Sequence, residues 1–384
     1  RSTTILATPV TLNYTVHGPL FSEVDGRFAL KWTGYNGSQT LEALYNLGLA
    51  SNHAEFLSAI SLIECPNLNF LYADTSDNIA YHATGAHPIR APGLGPALHN
   101  GSAGTEDWQG FISFTSLPNI TNPATGYIAS ANNKPVNASY PYYLGYNFAP
   151  AHRANRITQL VNTTGPHSLA DMGNIQQDVL SLHALAIKDI VASVVLARVT
   201  ASSAPVTHAA ATALQGWEGE MTTNSIAATI WATFSQQFLN ATFYDEYSRA
   251  GVPNGPFPAV TVLENFTQMD YERWFNDTLQ IGTQTRDDII FSSFIATKNE
   301  LAANLGTDVN SWQYNRVHAL WMLHPMASTF PYMSGPILPL EGSPYTVNHA
   351  PGFLVDFGAS YRLLIDFQDF DNSRSVVAGG QRLN

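Results

Sequence analysis

Along residues 1–34 the apolar side chains alternate with polar ones: Val10, Leu12, Tyr14 and Val16, then Phe28, Leu30 and Trp32. A period of two puts one set of side chains on one face of a strand, and Gly18-Pro19 and Asp25-Gly26 mark the turns between such strands. From 39 to 64 the spacing changes to three and four, through Leu41, Leu44, Leu47, Phe56, Ile60 and Ile63, which predicts helix. Ser51-Asn52-His53-Ala54-Glu55 reads as a helix start, with Ser51 or Asn52 as the capping side chain. Asn69–Asp74 predicts a strand, Asp77-Asn78 a hairpin turn and Ile79–Thr84 the returning strand. Residues 91–125 are rich in Gly, Pro, Asn and Ser and read as a long surface excursion, followed by a short strand at Tyr127–Ser130. From 151 to about 325 the pattern is mainly helical, interrupted near 200–206 and by Pro253, Pro256 and Pro258. Strand patterns return around Tyr345–Val347 and Tyr361–Phe367. This order predicts an α+β layered fold in one domain over 1–384, strand-rich at 1–135 and 340–384 and mainly helical over 150–325.

Composition narrows the partners. The 384 residues are 45% hydrophobic, enough for a sizeable core, but only 12% charged, about half the usual share. Seventeen Lys and Arg against 29 Asp and Glu leave a net charge of −12. An acidic, lysine-poor surface offers no footprint for nucleic acid or an anionic membrane. The most apolar stretch, Ala184–Ala197, is broken by Lys188 and Asp189 and is too short to span a bilayer. No signal peptide is recognisable, so a soluble chain whose targeting segment has been removed is expected.

Asn-X-Ser/Thr sequons occur at Asn13, Asn36, Asn100, Asn119, Asn137, Asn162, Asn240, Asn265 and Asn276. Surface sequons accept glycans in a eukaryotic secretory pathway, and neutral glycans would keep a charge-poor surface in solution. A secreted, extracellular glycoprotein is therefore expected. The single cysteine, Cys65, excludes an intrachain disulfide. Lying before Pro66 in an apolar segment, it is expected to be buried and inert.

Unaided spacing carries little chemistry. HExxH, CxxC, Walker A and GxSxG patterns are absent, and the 12 histidines are scattered, so no metal site is assigned. His82 and His87 flank a hairpin end and read as solvated turn histidines. Asp74, Asp77 and Asp107 could contribute to a calcium site, but turn carboxylates are more often caps.

One segment is more specific. Tyr72-Ala-Asp-Thr-Ser-Asp-Asn-Ile-Ala-Tyr-His-Ala-Thr-Gly85 followed by Pro88-Ile-Arg90 resembles the YAD-x-x-GNIGY…G…P-x-R signature of the penicillin acylase family. Thr15-Val-His-Gly-Pro19 looks like that family's T-x-HGP strand end. Trp32-Thr33, the Asn52–Phe56 helix, Asp107–Phe111, Asn122-Pro123, Gly126–Ala129, Asn132–Pro135, Tyr143–Tyr146, Ala151–Ile157, Gln177–Ser181, Tyr345–Asn348 and Gly358–Arg362 follow in the family's order. The resemblance covers nearly the whole chain and is strongest between 69 and 157. It implies the N-terminal-nucleophile-hydrolase fold, a four-layer αββα sandwich with a mainly helical insertion. It also implies amide hydrolysis by an N-terminal Ser exposed through autocatalytic cleavage. A free α-amine has a pKa near 8 and can act as base for its own residue's hydroxyl.

The resemblance carries over residue by residue. Asn132 matches the side chain that donates to the oxyanion; an amide N–H does this without adding a titrating group. Arg153 matches an arginine that orients the nucleophile's terminus and the catalytic asparagine. Leu68 falls where relatives place an apolar wall of the acyl pocket, although ordinary packing reads equally well there. Some relatives bind calcium through a carboxylate near position 142; Tyr142 is not one, so no cofactor is expected and a structural calcium has no support here. Fourteen residues precede Thr15, where the family carries a longer segment beginning with the nucleophile, and Ser2 matches no nucleophile position. The chain is therefore expected to be incomplete at both ends, inactive alone, and partnered by companion chains of the same precursor. The substrate implied is an acyl amide of a small molecule. The alternative is a non-catalytic secreted glycoprotein that keeps the scaffold for binding; intact Asn132 and Arg153 speak against it.

Overall fold

The computed structural model describes residues 12–21, 28–35, 37–91, 95, 97–163, 165–253, 255–276 and 282–377. Ser2, Val10, the expected Asp25-Gly26 turn and Asn36 lie outside these residues. The chain packs as two compact units, one formed by 1–130 with 134–148 and the other by 131–133 with 149–384.

The first unit holds two small antiparallel sheets. β1 (Tyr14–Thr15), β2 (Gly18–Phe21) and β3 (Phe28–Ala29) pair in sequence. Helices α1 (Thr40–Leu49) and α2 (His53–Ile60) follow. Asn52 is the cap of α2, its Oδ1 accepting from Glu55 N at 3.0 Å. The apolar faces of the two helices close a core of Ala43, Phe56, Ile60 and Ile63. The second sheet is β4 (Asn69–Ala73), β5 (Ile79–Ala83) and β6 (Asn119–Thr121). The β4–β5 hairpin turns on Asp77, in the left-handed region at φ 62°, and Asp74 Oδ1 accepts from Ser76 N and Asn78 N across the turn.

The second unit is mainly helical: α3 (His152–Asn162), α4 (Leu169–Gln176), α5 (Leu182–Arg198), α6 (Pro205–Gln215), α7 (Ile226–Arg249), α8 (Val260–Met269), α9 (Glu272–Phe275) and α10 (Arg286–Leu305). Ser168, Ser181, Ser225 and Thr285 each accept from the backbone N–H three residues on, which fixes the starts of α4, α5, α7 and α10. Ile187, Val191 and Val195 of α5, Phe234 and Phe238 of α7, and Ile290 and Phe294 of α10 form one fully buried core. Burying each such side chain is worth about 1.5–3 kcal/mol, so this core dominates the unit's stability. The strands β7 (Ala319–Trp321), β8 (Ile337–Pro339) and β9 (Leu354–Val355) form one sheet, and β10 (Tyr361–Leu364) pairs with β11 (Arg374–Val377).

Several expectations are corrected. The helical region stops at Leu305, where Gly306 takes φ 91°; Trp312 and Tyr314 then enter the core from short 3-10 turns and mimic helical periodicity. Tyr345–Val347 is a turn, because Thr346 Oγ1 accepts from Ser343 N at 2.7 Å and donates to the Asn348 carbonyl at 2.8 Å, occupying partners a sheet would need. Tyr127–Ser130 belongs to no sheet among the described residues, while the β6 strand lies inside the excursion at 91–125. His82 is buried rather than solvated, stacked on Phe114 with ring centroids 4.0 Å apart. His87 is half-buried, its Nε2 3.2 Å from the Thr84 carbonyl, and Cys65 is half-buried and free.

Candidate active site

The start of α3 carries the site. Arg153 is the second residue of that helix and is half-buried. Its Nη2 donates to Asn132 Oδ1 at 3.0 Å. Asn132 is exposed and sits in the left-handed region at φ 62°, which asparagine tolerates better than most residues. Its own carbonyl accepts from Ala149 N at 2.9 Å, so the corner is tied to the segment that leads into α3. A guanidinium has only donors, so the amide atom facing it is the oxygen. The Asn132 NH2 group is thereby aimed away from Arg153. Burial lowers the pKa of Arg153, but from so high a starting point that the guanidinium stays charged. His349 is held low mainly by its burial and further by the charge of Arg153, and its Nδ1 lies 3.0 Å from the Pro344 carbonyl.

One turn along α3, Arg156 grips Asp178 with two bonds, Nε to Oδ1 at 3.0 Å and Nη2 to Oδ2 at 2.7 Å. The Asp178 carbonyl accepts from Asn348 N at 2.9 Å. Arg362, on β10, donates to the Asn348 Oδ1 and to the Gln176 carbonyl, each at 2.6 Å. The turn that presents Asn348 depends on Gly342, at φ 98°, where a Cβ would come within 2.2 Å of the Asn348 carbonyl. Four of the segments singled out in the sequence, at 151–157, 177–181, 345–348 and 358–362, therefore meet in one polar network behind the Asn132–Arg153 pair.

Of the residues named from sequence, Asn132 and Arg153 are brought together. Leu68 belongs to the other unit, just before β4, and is 39% exposed. Asp74, Asp77 and Asp107 do not assemble a cation site: Asp74 is engaged by Tyr72, Ser76 and Asn78, and Asp107 by His17 and Lys31. Sequence reasoning missed Arg156, Asp178, Asn348 and Arg362 as supports, although each lay in a quoted motif. It also missed His152, Glu264 and His183, which cluster in the interior from three different helices. No local signal finds these three, because 31 and 81 residues separate His183 from its two neighbours in sequence.

The corner offers a charged guanidinium that fixes the orientation of an exposed amide, whose N–H groups can meet an oxyanion. The sequence profile of the penicillin amidase family matches residues 4–384. The acyl-homoserine lactone acylase QuiP of Pseudomonas fluorescens strain Pf0-1 is 23% identical over 91% of this chain and 47% of its own length. Penicillin G acylase of Escherichia coli is 38% identical over 24% of this chain and 11% of its own. The structure of a thermostable penicillin G acylase from Alcaligenes faecalis superposes with a TM-score of 0.59 at 20% identity, covering 81% of this chain and 61% of that one. The expected α+β fold of the penicillin acylases is thus found here. The chain spans about half the length of the QuiP relatives it matches. By the match over nearly its entire length, the chain belongs to the penicillin amidase family.

Proposed function

We propose that this chain forms the body of an acylase that hydrolyses the acyl amide bond of a small molecule. The observation that carries the reading is the Arg153–Asn132 hydrogen bond, which fixes an exposed amide with its N–H groups turned outward. In this reading Asn132 donates to the oxyanion of the tetrahedral intermediate. Arg153 holds that amide and the terminus of the nucleophile. The nucleophile is an N-terminal Ser on a companion chain released by autocatalytic cleavage, its α-amine acting as base. The relatives named as acyl-homoserine lactone and penicillin acylases support this chemistry.

The protein is further proposed to be secreted and glycosylated. At Asn100 and Asn137 the Oδ1 accepts from both the backbone N–H and the hydroxyl of the Ser two residues on, and both side chains are exposed. That arrangement supports glycan acceptance at these sequons.

The test is to purify the full-length protein, record the intact mass of every chain, and assay phenylacetyl anilide, long-chain acyl anilide and acyl-homoserine lactone substrates. Turnover of at least one, with a companion chain beginning in Ser, is the expected result. A homogeneous protein that cleaves none, with no chain beginning in Ser, Thr or Cys, overturns the reading.

A further inference from the structure

A carboxylate and two imidazoles meet inside the second unit. Glu264 of α8 is 7% exposed, His183 of α5 is 2% exposed, and His152, the first residue of α3, is 9% exposed. His183 Nδ1 reaches Glu264 Oε1 at 2.5 Å, and His152 Nε2 lies 2.9 Å from the same oxygen. The three donor atoms fall within 4.8 Å of one another. The second contact is close but not an aligned hydrogen bond, and His152 Nε2 is a buried nitrogen with no hydrogen-bond partner. Among the described residues the basic side chains within 4 Å of the Glu264 carboxylate are these two histidines, and no Lys or Arg. Burial raises Glu264, but the two histidines outweigh that and hold it below its ordinary value. Burial likewise keeps His183 below its own. Buried groups of this kind are paired or coordinate metals, and here three ligand atoms converge on one point while one of them, His152 Nε2, lacks a hydrogen-bond partner.

We infer that His152, His183 and Glu264 form a binding site for a divalent transition ion of the zinc class, with a water as the fourth ligand. Two imidazole nitrogens and one carboxylate oxygen suit zinc, which takes such ligands at about 2.0–2.2 Å. Tetrahedral bonds of that length set the donors roughly 3.3 Å apart. Binding must open the two Glu264 contacts, now 2.5 and 2.9 Å, to about that separation. Each imidazole ligates in its neutral form through the nitrogen that carries no hydrogen, so protons compete with the ion and binding weakens as the pH falls. His183 would ligate through Nδ1 and carry its hydrogen on Nε2. That nitrogen also lacks a protein partner, and His183 borders a cavity of about 200 Å³ where water can accept the bond. Tyr345 packs against both imidazoles, with ring centroids 5.9 and 5.0 Å away, and limits their rotation. The ion would join α3, α5 and α8 at the residue before Arg153. The inference is independent of the acylase reading, since its readout is metal binding.

The experiment is to strip the purified full-length protein with a chelator and titrate it with zinc chloride alone, following heat by calorimetry and the melting temperature. Cobalt(II) is then substituted to record its visible spectrum. One ion per protein is expected, with a rise in melting temperature that chelator reverses and cobalt bands of a four-coordinate nitrogen–oxygen site. Glu264→Gln, which keeps the size and an acceptor oxygen, and His183→Ala should each weaken binding at least about tenfold. Absence of stoichiometric binding, or a six-coordinate cobalt spectrum, overturns the inference. So does zinc binding that survives both substitutions, which would place the ion on surface histidines. Should a variant fail to fold by circular dichroism, the stoichiometry and cobalt spectrum of the unmodified protein decide.

Discussion

Replacing Arg153 with Met removes the charge-assisted hydrogen bond to Asn132 Oδ1, 3.0 Å long, and leaves the bulk of the side chain. Asn132 is exposed, so its freed oxygen takes water and the fold should persist. A hydrogen bond to a charged group is worth about 1.5–3 kcal/mol. At 1.36 kcal/mol per factor of ten, complete loss of its orienting effect would slow the chemical step by about 10–150-fold. Arg153 is only half-buried, so the lower part of that range, about 10–50-fold in kcat, is expected with KM within about twofold. Arg153→Lys keeps the charge but loses the planar fork and should fall between. A second readout is His349. Its pKa is lowered first by burial and next by the charge of Arg153, so removing that charge must raise it, while burial keeps it below the ordinary value. Single-turnover kinetics on a chromogenic acyl anilide and histidine NMR titration check both halves. A kcat within about threefold of wild type, together with an unmoved His349, would show Arg153 to be a plain surface contact, contrary to its assigned role.

Arg156→Met should cost stability rather than chemistry: the Asp178 side chain is 15% exposed and loses both bonds of its pair. Breaking a buried pair costs about 3–5 kcal/mol, and discounting for residual exposure gives about 2–3 kcal/mol. The calorimetric melting temperature should drop by about 2–4 °C, whereas a drop under about 1 °C would refute the estimate. Asp74 is held down to about 2, first by the Tyr72 hydroxyl and then by the Asn78 and Ser76 donors. A depressed folded-state value means its stabilising effect is complete above the ordinary carboxylate pKa of about 3.9 and fades as the pH falls towards 2. Carboxyl-carbon NMR titration should show that low midpoint, and a midpoint near 4 would contradict it. Expressed in a eukaryotic secretory host, the protein should lose mass on endoglycosidase treatment, and Asn100→Gln should remove one glycan; unchanged mass would remove the glycoprotein proposal.

The sequence was most legible where local rules coincide with tertiary structure. The Asn52 cap, the Asp77-Asn78 turn and the interruption at 200–206 follow from backbone preferences that act within a few residues, and each is present. Legibility failed where a side chain substitutes for backbone. Thr346 turns an apparent strand into a loop, and Trp312 and Tyr314 continue a helical stripe without a helix. The Asn132–Arg153 pair was reachable through ordered motifs, because both residues sit in distinctive local strings. Glu264, in the middle of a plain amphipathic helix, could not be matched to His152 and His183 without the fold that brings the three helices together.

The central claim is that Asn132 stabilises the oxyanion, and its most direct test is the kcat of Asn132→Ala in the complete, correctly processed enzyme. Loss of one such donor typically lowers kcat by about 10²–10³, or about 2.7–4 kcal/mol, and the ground-state carbonyl uses the donor less, so KM should change little. A folded variant that retained more than about a third of wild-type kcat would make Asn132 a turn residue and nothing more.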